Sequence, residues 1–195
     1  MTSELDPIEL FQKWHTAATL SGIRSQPNAA CLSTVDQAGN PRARIVEIKR
    51  VRDGGFVFST SLRSPKSHEI RNNSSVSLTF WWDDVGRQVR VVGVATSISD
   101  NEADELFAQR SRSARVASWA FEQSAPIPAD CTRDSLYSSA EREFEGVDVP
   151  RPAYWSGYHV SPTSMEFLEF DESRIHHRVL YRRREAGWEA TELQP

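Results

Sequence analysis

The sequence predicts a single mainly β domain of the α+β class, an antiparallel barrel decorated by helices. Two observations carry this. Five short runs rich in β-branched and aromatic residues follow one another between 29 and 98, separated by turn residues and one short helix. Strand texture then returns in the tail, with no regular βαβ alternation that would signal a parallel sheet.

The elements follow in order. Asp6-Pro7-Ile8-Glu9 reads as an N-cap, a proline at the first helical position and a carboxylate at the third. Leu10, Phe11, Trp14 and Ala18 follow at helical spacing, so an amphipathic helix is expected over about 7–20. Strands are expected at 29–35, 42–51, 55–60, 75–82 and 87–98, with Gly39-Asn40 and Asp53-Gly54-Gly55 as hairpin turns. Ser64-Pro65-Lys66-Ser67-His68-Glu69-Ile70 fits a short helix capped by Ser64 with Pro65 at its first position.

Ser99-x-x-Glu102 is a second capping box, opening a helix that carries Leu106, Phe107 and Arg110. Further helices are expected at 114–122 and at 133–145, the latter closed by Gly146. Strands at 157–161, 164–170, 177–184 and 187–193 complete the chain, while 123–134 and 146–153 read as loops. There is no internal repeat and no low-complexity tract.

Composition narrows the function. With 195 residues, 38% of them hydrophobic, the chain is long enough for one good core. The net charge of −4, from 23 basic and 27 acidic residues interspersed, leaves no electrostatic footprint for nucleic acid or an anionic membrane. Any anion must be bound by a local cluster. The first residues form no signal peptide and no stretch reaches the length of a membrane span, so a cytoplasmic protein is expected. Cys31 and Cys131 match neither a redox pair nor a zinc spacing and are expected to be reduced and structural.

No P-loop, dinucleotide glycine fingerprint, zinc motif or nucleophile elbow is present. What the sequence offers is a recurrence of cations and amides in strands and at one helix start: Arg44, Lys49, Lys66, Gln88, Arg110, Arg174, His176 and Arg178. Taken singly, each of the cations reads as a solvated surface charge. As a set they suit a phosphorylated ligand, because an uncompensated buried ion costs several kcal/mol, so a desolvated phosphate needs paired charge. Lys66 stands in the first turn of a helix, where free N–H groups already favour an anion, and Ser59 and Thr60 add hydroxyls. Period-2 alternation turns Gln88 away from the face of Val89, Val91 and Gly93. The same spacing would put Arg174, His176 and Arg178 on one face of an extended strand.

In this order the set resembles the pyridoxine/pyridoxamine 5'-phosphate oxidase family over nearly the whole chain. The resemblance is carried by DPIELFQKW at 6–14, RIVEIK at 44–49, GFVFSTSLRSPKSHEI at 55–70, RQVRVVGVA at 87–95 and WAFEQS at 119–124. In the tail it is carried by PAYWSGYHVSPTSMEF and RIHHRVLYRR. It implies a Greek-key split β-barrel that binds flavin mononucleotide (FMN), and a homodimer with FMN at the interface; Phe80, Trp81, Trp82 and Trp155 are either apolar surface for that interface or ordinary core aromatics.

By the same resemblance, Arg44, Ile45, Val46, Lys49, Ser59, Thr60, Lys66, Gln88, Gln123, Ser124 and Arg178 would hold the cofactor. Lys49 and Arg110 would grip a substrate phosphate, and Arg174 and His176 would cover the substrate ring as the catalytic pair. The implied reaction oxidises the C4' amine or alcohol of pyridoxamine or pyridoxine 5'-phosphate, with dioxygen as the final acceptor.

The chain departs from the family pattern at Leu106 and Ala114, where a tyrosine and a serine usually stand beside the substrate phosphate, at Pro65 for an arginine, and at Leu168 for a tryptophan. The basic segment that precedes the first helix in standard members is expected to be missing. An oxidase of an unphosphorylated aromatic, as in the related phenazine-biosynthesis enzymes, is therefore a second expectation. A flavin- or haem-binding protein without turnover is a third.

Overall fold

A computed structural model describes residues 6–21 and 26–195. Eight strands are present: β1 (Ala29–Val35), β2 (Pro41–Arg52), β3 (Gly55–Ser61), β4 (Ser75–Trp82), β5 (Arg87–Ser97), β6 (Trp155–Glu169), β7 (His177–Arg184) and β8 (Gly187–Leu193). The helices are α1 (Pro7–Ser21), α2 (Pro65–Asn72), α3 (Asp100–Ala108), α4 (Arg112–Ala120) and α5 (Arg133–Glu143).

All strand pairs are antiparallel, in the order β3-β2-β1-β4-β5-β6-β7-β8, and a further β3–β6 pairing closes β1 to β6 into a six-stranded barrel. The long strand β6 makes this possible. Its first half, from Trp155 to Val160, pairs with β3, and its second half, from Ser164 to Glu169, pairs with β7 while staying on β5. The tail hairpin β7–β8 thus extends the sheet as a flap on one side of the barrel, with Tyr181 buried in the core.

The alternation in β5 turns Val89, Val91 and Gly93 inward while Arg90, Val92 and Val94 point out. Asp53-Gly54 is a two-residue hairpin with both residues left-handed (φ 49° and 70°), which is why glycine follows aspartate there. At Gly157, opposite Ser59, a Cβ would collide with the carbonyl of Phe58, so only glycine lets β6 lie this close to the end of β3.

Helix α1 closes one end of the barrel. Asp6 Oδ1 accepts the Ile8 N–H (2.8 Å), and Phe11, Trp14 and Ala18 are buried one helical turn apart. Phe11 meets Phe56 and Phe80 edge-on at 4.8 Å, the centre of an aromatic core that also holds Trp82.

Several expectations need correction. The two tail strands at 157–161 and 164–170 are one continuous strand, because Pro162 falls at a bulge opposite Gly93 where no ladder hydrogen bond is needed. Arg174 and His176 precede β7, and Arg174 is left-handed (φ 69°), so the triplet with Arg178 does not share a strand face. Phe80, Trp82 and Trp155 are core residues, whereas Trp81 is half exposed. Helix α4 starts two residues earlier than expected, at the Ser111 cap. Ser64 stands at the N-cap of α2, but its hydroxyl donates to the Ser61 carbonyl (2.8 Å) and caps no N–H. In α3 the Ser99 half of the capping box forms, while the Glu102 carboxylate turns to Arg52. Cys31 and Cys131 are free thiols.

Candidate functional site

A concentration of charge surrounds a cavity where β2, β3 and α2 meet. The cavity, about 460 Å³, is lined by Arg44, Ile45, Val46, Glu47 and Lys49 from β2, Ser59 and Thr60 from the end of β3, and Pro65 and Lys66 from α2. Arg110 after α3 and Gln123 and Ser124 after α4 complete it. Four cations face one carboxylate, so the wall suits an anion.

Lys66 is 7% exposed, and its ammonium donates to Thr60 Oγ1 (3.1 Å) and Gln123 Oε1 (3.0 Å). Burial lowers its pKa to about 8; the positive charge of Arg44 adds to the shift and Glu69 opposes it. Arg44 donates to Glu69 (2.7 Å) and to the Thr34 hydroxyl (2.5 Å). Lys49 pairs with Glu47 (2.5 Å). Lys66 and Arg110 have no carboxylate partner among the described residues. Burial pushes the Arg110 pKa down, with Glu47 opposing. Its guanidinium donates to the Ala114 carbonyl (2.9 Å) and lies over the Trp155 ring, and its buried Nε has no partner among the described residues. An orphaned donor of this kind is stabilised by an arriving anion. Ser124 holds a left-handed conformation (φ 70°) at the rim, a strained backbone of the sort found at binding sites.

The remaining candidates form a second group on the flap side of the barrel. Gln88 pairs across the sheet with Trp81 and Leu168, and Leu168 with Arg178, so the four lie in one row. Arg178 donates from Nε (3.1 Å) and Nη2 (2.7 Å) to Glu166, whose other oxygen accepts from Arg90. His176 stacks on Phe170 at 4.8 Å and accepts the Asp171 N–H, and Arg174 lies over the same ring at 5.8 Å. None of Gln88, Arg174, His176 and Arg178 lines the cationic cavity.

The sequence reading missed Glu69, Thr34 and Glu166, which fasten the arginines of the two groups. Leu106 is buried against Val57, Phe107 and Trp155, and Ala114 lies in the first turn of α4 with its carbonyl on Arg110. A second cavity of about 280 Å³ adjoins the first across Ser59, Thr60, Arg110 and Gln123 and is walled by Phe121, Tyr154 and Trp155.

Fold and site together define a closed split barrel with a cationic cavity beside the start of a short helix. Residues 17–133 match the family described as pyridoxamine 5'-phosphate oxidase, and residues 155–195 match the pyridoxine 5'-phosphate oxidase C-terminal dimerisation region. The chain belongs to the pyridoxamine 5'-phosphate oxidase family and carries its dimerisation region. A pyridoxine/pyridoxamine 5'-phosphate oxidase of Shewanella sediminis is 42% identical over 97% of this chain and 89% of its own length. One from Zymomonas mobilis is 40% identical over 97% and 98%. Among solved structures, PhzG from Burkholderia lata, in complex with tetrahydrophenazine-1-carboxylic acid, superposes with a TM-score of 0.91 at 29% identity, covering 97% of this chain and 93% of that one.

Proposed function

We propose that the protein is an FMN-dependent oxidase that converts pyridoxamine or pyridoxine 5'-phosphate to pyridoxal 5'-phosphate, acting in the cytoplasm as a homodimer with the cofactor at the interface. The observation that carries this reading is the cavity wall of Arg44, Lys49, Lys66 and Arg110, two of whose cations lack a carboxylate partner among the described residues. Relatives named for this activity at about 40% identity support it.

A bound flavin would supply the redox chemistry, a hydride acceptor for the substrate carbon that dioxygen would reoxidise with release of hydrogen peroxide. The protein's share is placement. Lys66, Arg44, Ser59, Thr60, Gln123 and Ser124 hold the FMN phosphate and ribityl chain, beside the strand backbone at Ile45 and Val46. Lys49 and Arg110 take the substrate phosphate. A second protomer would bring the Gln88 and Arg178 row, with Arg174 and His176, to the ring system.

The PhzG likeness and the apolar Leu106 and Ala114 favour a second reading, an unphosphorylated aromatic substrate. Anaerobic reduction of the flavin decides between them. Pyridoxamine 5'-phosphate should bleach it far faster than pyridoxamine or a reduced phenazine. Faster bleaching by the phenazine would establish the second reading, and no bleaching by any would leave a binding protein.

The Lys66 pKa fixes a pH dependence. A phosphate monoester is a dianion above its second pKa of about 6, and a bound dianion favours the charged ammonium. FMN affinity should be level between about 6 and 8, then fall by up to tenfold per pH unit as free Lys66 loses its proton. The stability of the apoprotein should show the opposite trend. The folded pKa lies below the unfolded value of 10.5, so the unfolded chain binds more protons between about 8 and 10.5 and stability rises through that window. FMN fluorescence titrations from pH 6.5 to 9.5 measure the first effect, and a flat affinity would contradict it.

Arg174→Ala and His176→Ala should leave flavin content intact and lower turnover, since neither lines the cationic cavity. Loss of FMN from the purified variants, with normal kinetics after reconstitution, would reverse that assignment.

A further inference from the structure

Behind the cationic wall sits a carboxylate that lines no part of the cavity. Glu69 is one helical turn beyond Lys66 on α2 and is 8% exposed. Its Oε2 accepts from Arg44 Nη2 on β2 (2.7 Å) and from the Thr34 hydroxyl on β1 (2.5 Å), and Thr34 Oγ1 accepts from Arg44 Nη1. Both terminal nitrogens of Arg44 are therefore fastened, with Nη1 also near the Leu32 carbonyl (3.4 Å).

A buried carboxylate behind an anion site needs an account, because it repels the ligand and is costly to desolvate. Without it, Arg44 and Lys66 would be two like charges in one half-buried wall. Arginine stays protonated in proteins, so relief would come from Lys66 losing its proton, and the wall would lose a cation before any ligand arrived.

We propose that Glu69 is the positioning residue of the anion site, the counter-charge that holds Arg44 in place and lets Lys66 stand beside it as a cation. The inference rests on the reading of the cavity as a phosphate site. Around Lys66, β2 presents Arg44, Glu47 and Lys49, β3 presents Thr60, the α4–α5 loop presents Gln123, and Arg110 faces it across the cavity. Glu47 is engaged with Lys49, so Glu69 is the carboxylate left to offset Arg44. Its opposition to the lowering of the Lys66 pKa agrees with that geometry.

The test uses the full-length protein. The sequence has three lysines, Lys13, Lys49 and Lys66, so NMR of lysine-ε-labelled apoprotein can follow Lys66 alone once a Lys66→Arg sample has assigned it. Glu69→Gln should lower the Lys66 midpoint by at least about half a unit, the usual direction on removing an opposite charge. Thr34→Val, which loosens Arg44 but keeps the carboxylate, should leave the midpoint in place and weaken FMN binding instead. In Glu69→Gln the fall of FMN affinity should begin at correspondingly lower pH, a loss of about threefold relative to wild type at pH 8.5 for half a unit.

A folded Glu69→Gln protein with an unmoved Lys66 midpoint overturns the proposal. If that variant does not fold, Glu69→Asp withdraws the charge by one methylene, and an unmoved midpoint there overturns it equally. Failure of wild-type protein to bind FMN would refute the phosphate reading instead, while the lysine titration, made without FMN, still judges the role of Glu69.

Discussion

Replacing Lys66 by alanine is expected to weaken FMN binding by about 1.5–3 kcal/mol, roughly tenfold to somewhat over a hundredfold, the usual worth of a hydrogen bond to a charged group. The size follows from how the wall is neutralised. Arg44 is matched by Glu69 and Lys49 by Glu47, whereas the Lys66 ammonium donates, among the described residues, to the neutral oxygens of Thr60 and Gln123. Its charge is therefore the least compensated on the β3–α2 side of the cavity. It also stands in the first turn of α2, where unpaired backbone N–H groups reinforce the same field. The apoprotein should not lose stability, since the variant removes a buried ammonium that is costly to desolvate. FMN affinity by fluorescence quenching, with thermal melting of the apoprotein beside it, checks both halves. Unchanged affinity would remove Lys66 from the phosphate site.

Phe80→Ala should be among the most damaging single truncations in the barrel, costing about 3–5 kcal/mol out of a total of roughly 5–15. Phe80 is fully buried and packs against Phe11, Phe56 and Trp82, joining helix α1 to strands β3 and β4. The cavity left behind is walled by large rings held by the closed sheet, so little collapse can fill it. The melting temperature should fall by on the order of 10 °C. Trp81, its neighbour on the opposite face, is half exposed in the single chain, and Trp81→Ala should spare the melting of the barrel by comparison. Equal losses from the two would contradict the assignment of Phe80 to the core.

Much of the fold was legible because the barrel strands carry plain chemical signals. The β-branched runs, the Asp53-Gly54 turn and the Pro7 helix start each specify local geometry, and the structure has them where the pattern put them. The misreadings fall where tertiary context overrides a local rule. Pro162 reads as a strand break, yet the bulge opposite Gly93 removes the need for its missing N–H. Arg174-x-His176-x-Arg178 has strand periodicity, but Ser173 bonds to the Asp171 carboxylate and turns the chain just before β7.

The site was legible in its cations and not in its anions. Lys66 announces itself by standing at a helix start. Glu69 and Glu166 read as ordinary solvated carboxylates, and only the packing of α2 on β1 and of β6 between β5 and β7 puts them on arginines. The division into a cationic cavity and a separate Gln88 and Arg178 row has no counterpart in linear order, since both groups draw on strands scattered along the chain.

The measurement closest to the central claim compares FMN with riboflavin, which lacks only the phosphate, in binding to the wild-type apoprotein at neutral pH. If Lys66, Arg44 and their neighbours form the phosphate site, FMN should bind at least about a hundredfold more tightly, the worth of one or two charge-assisted hydrogen bonds. Equal affinity for the two would mean that the cationic cavity does not receive the flavin phosphate.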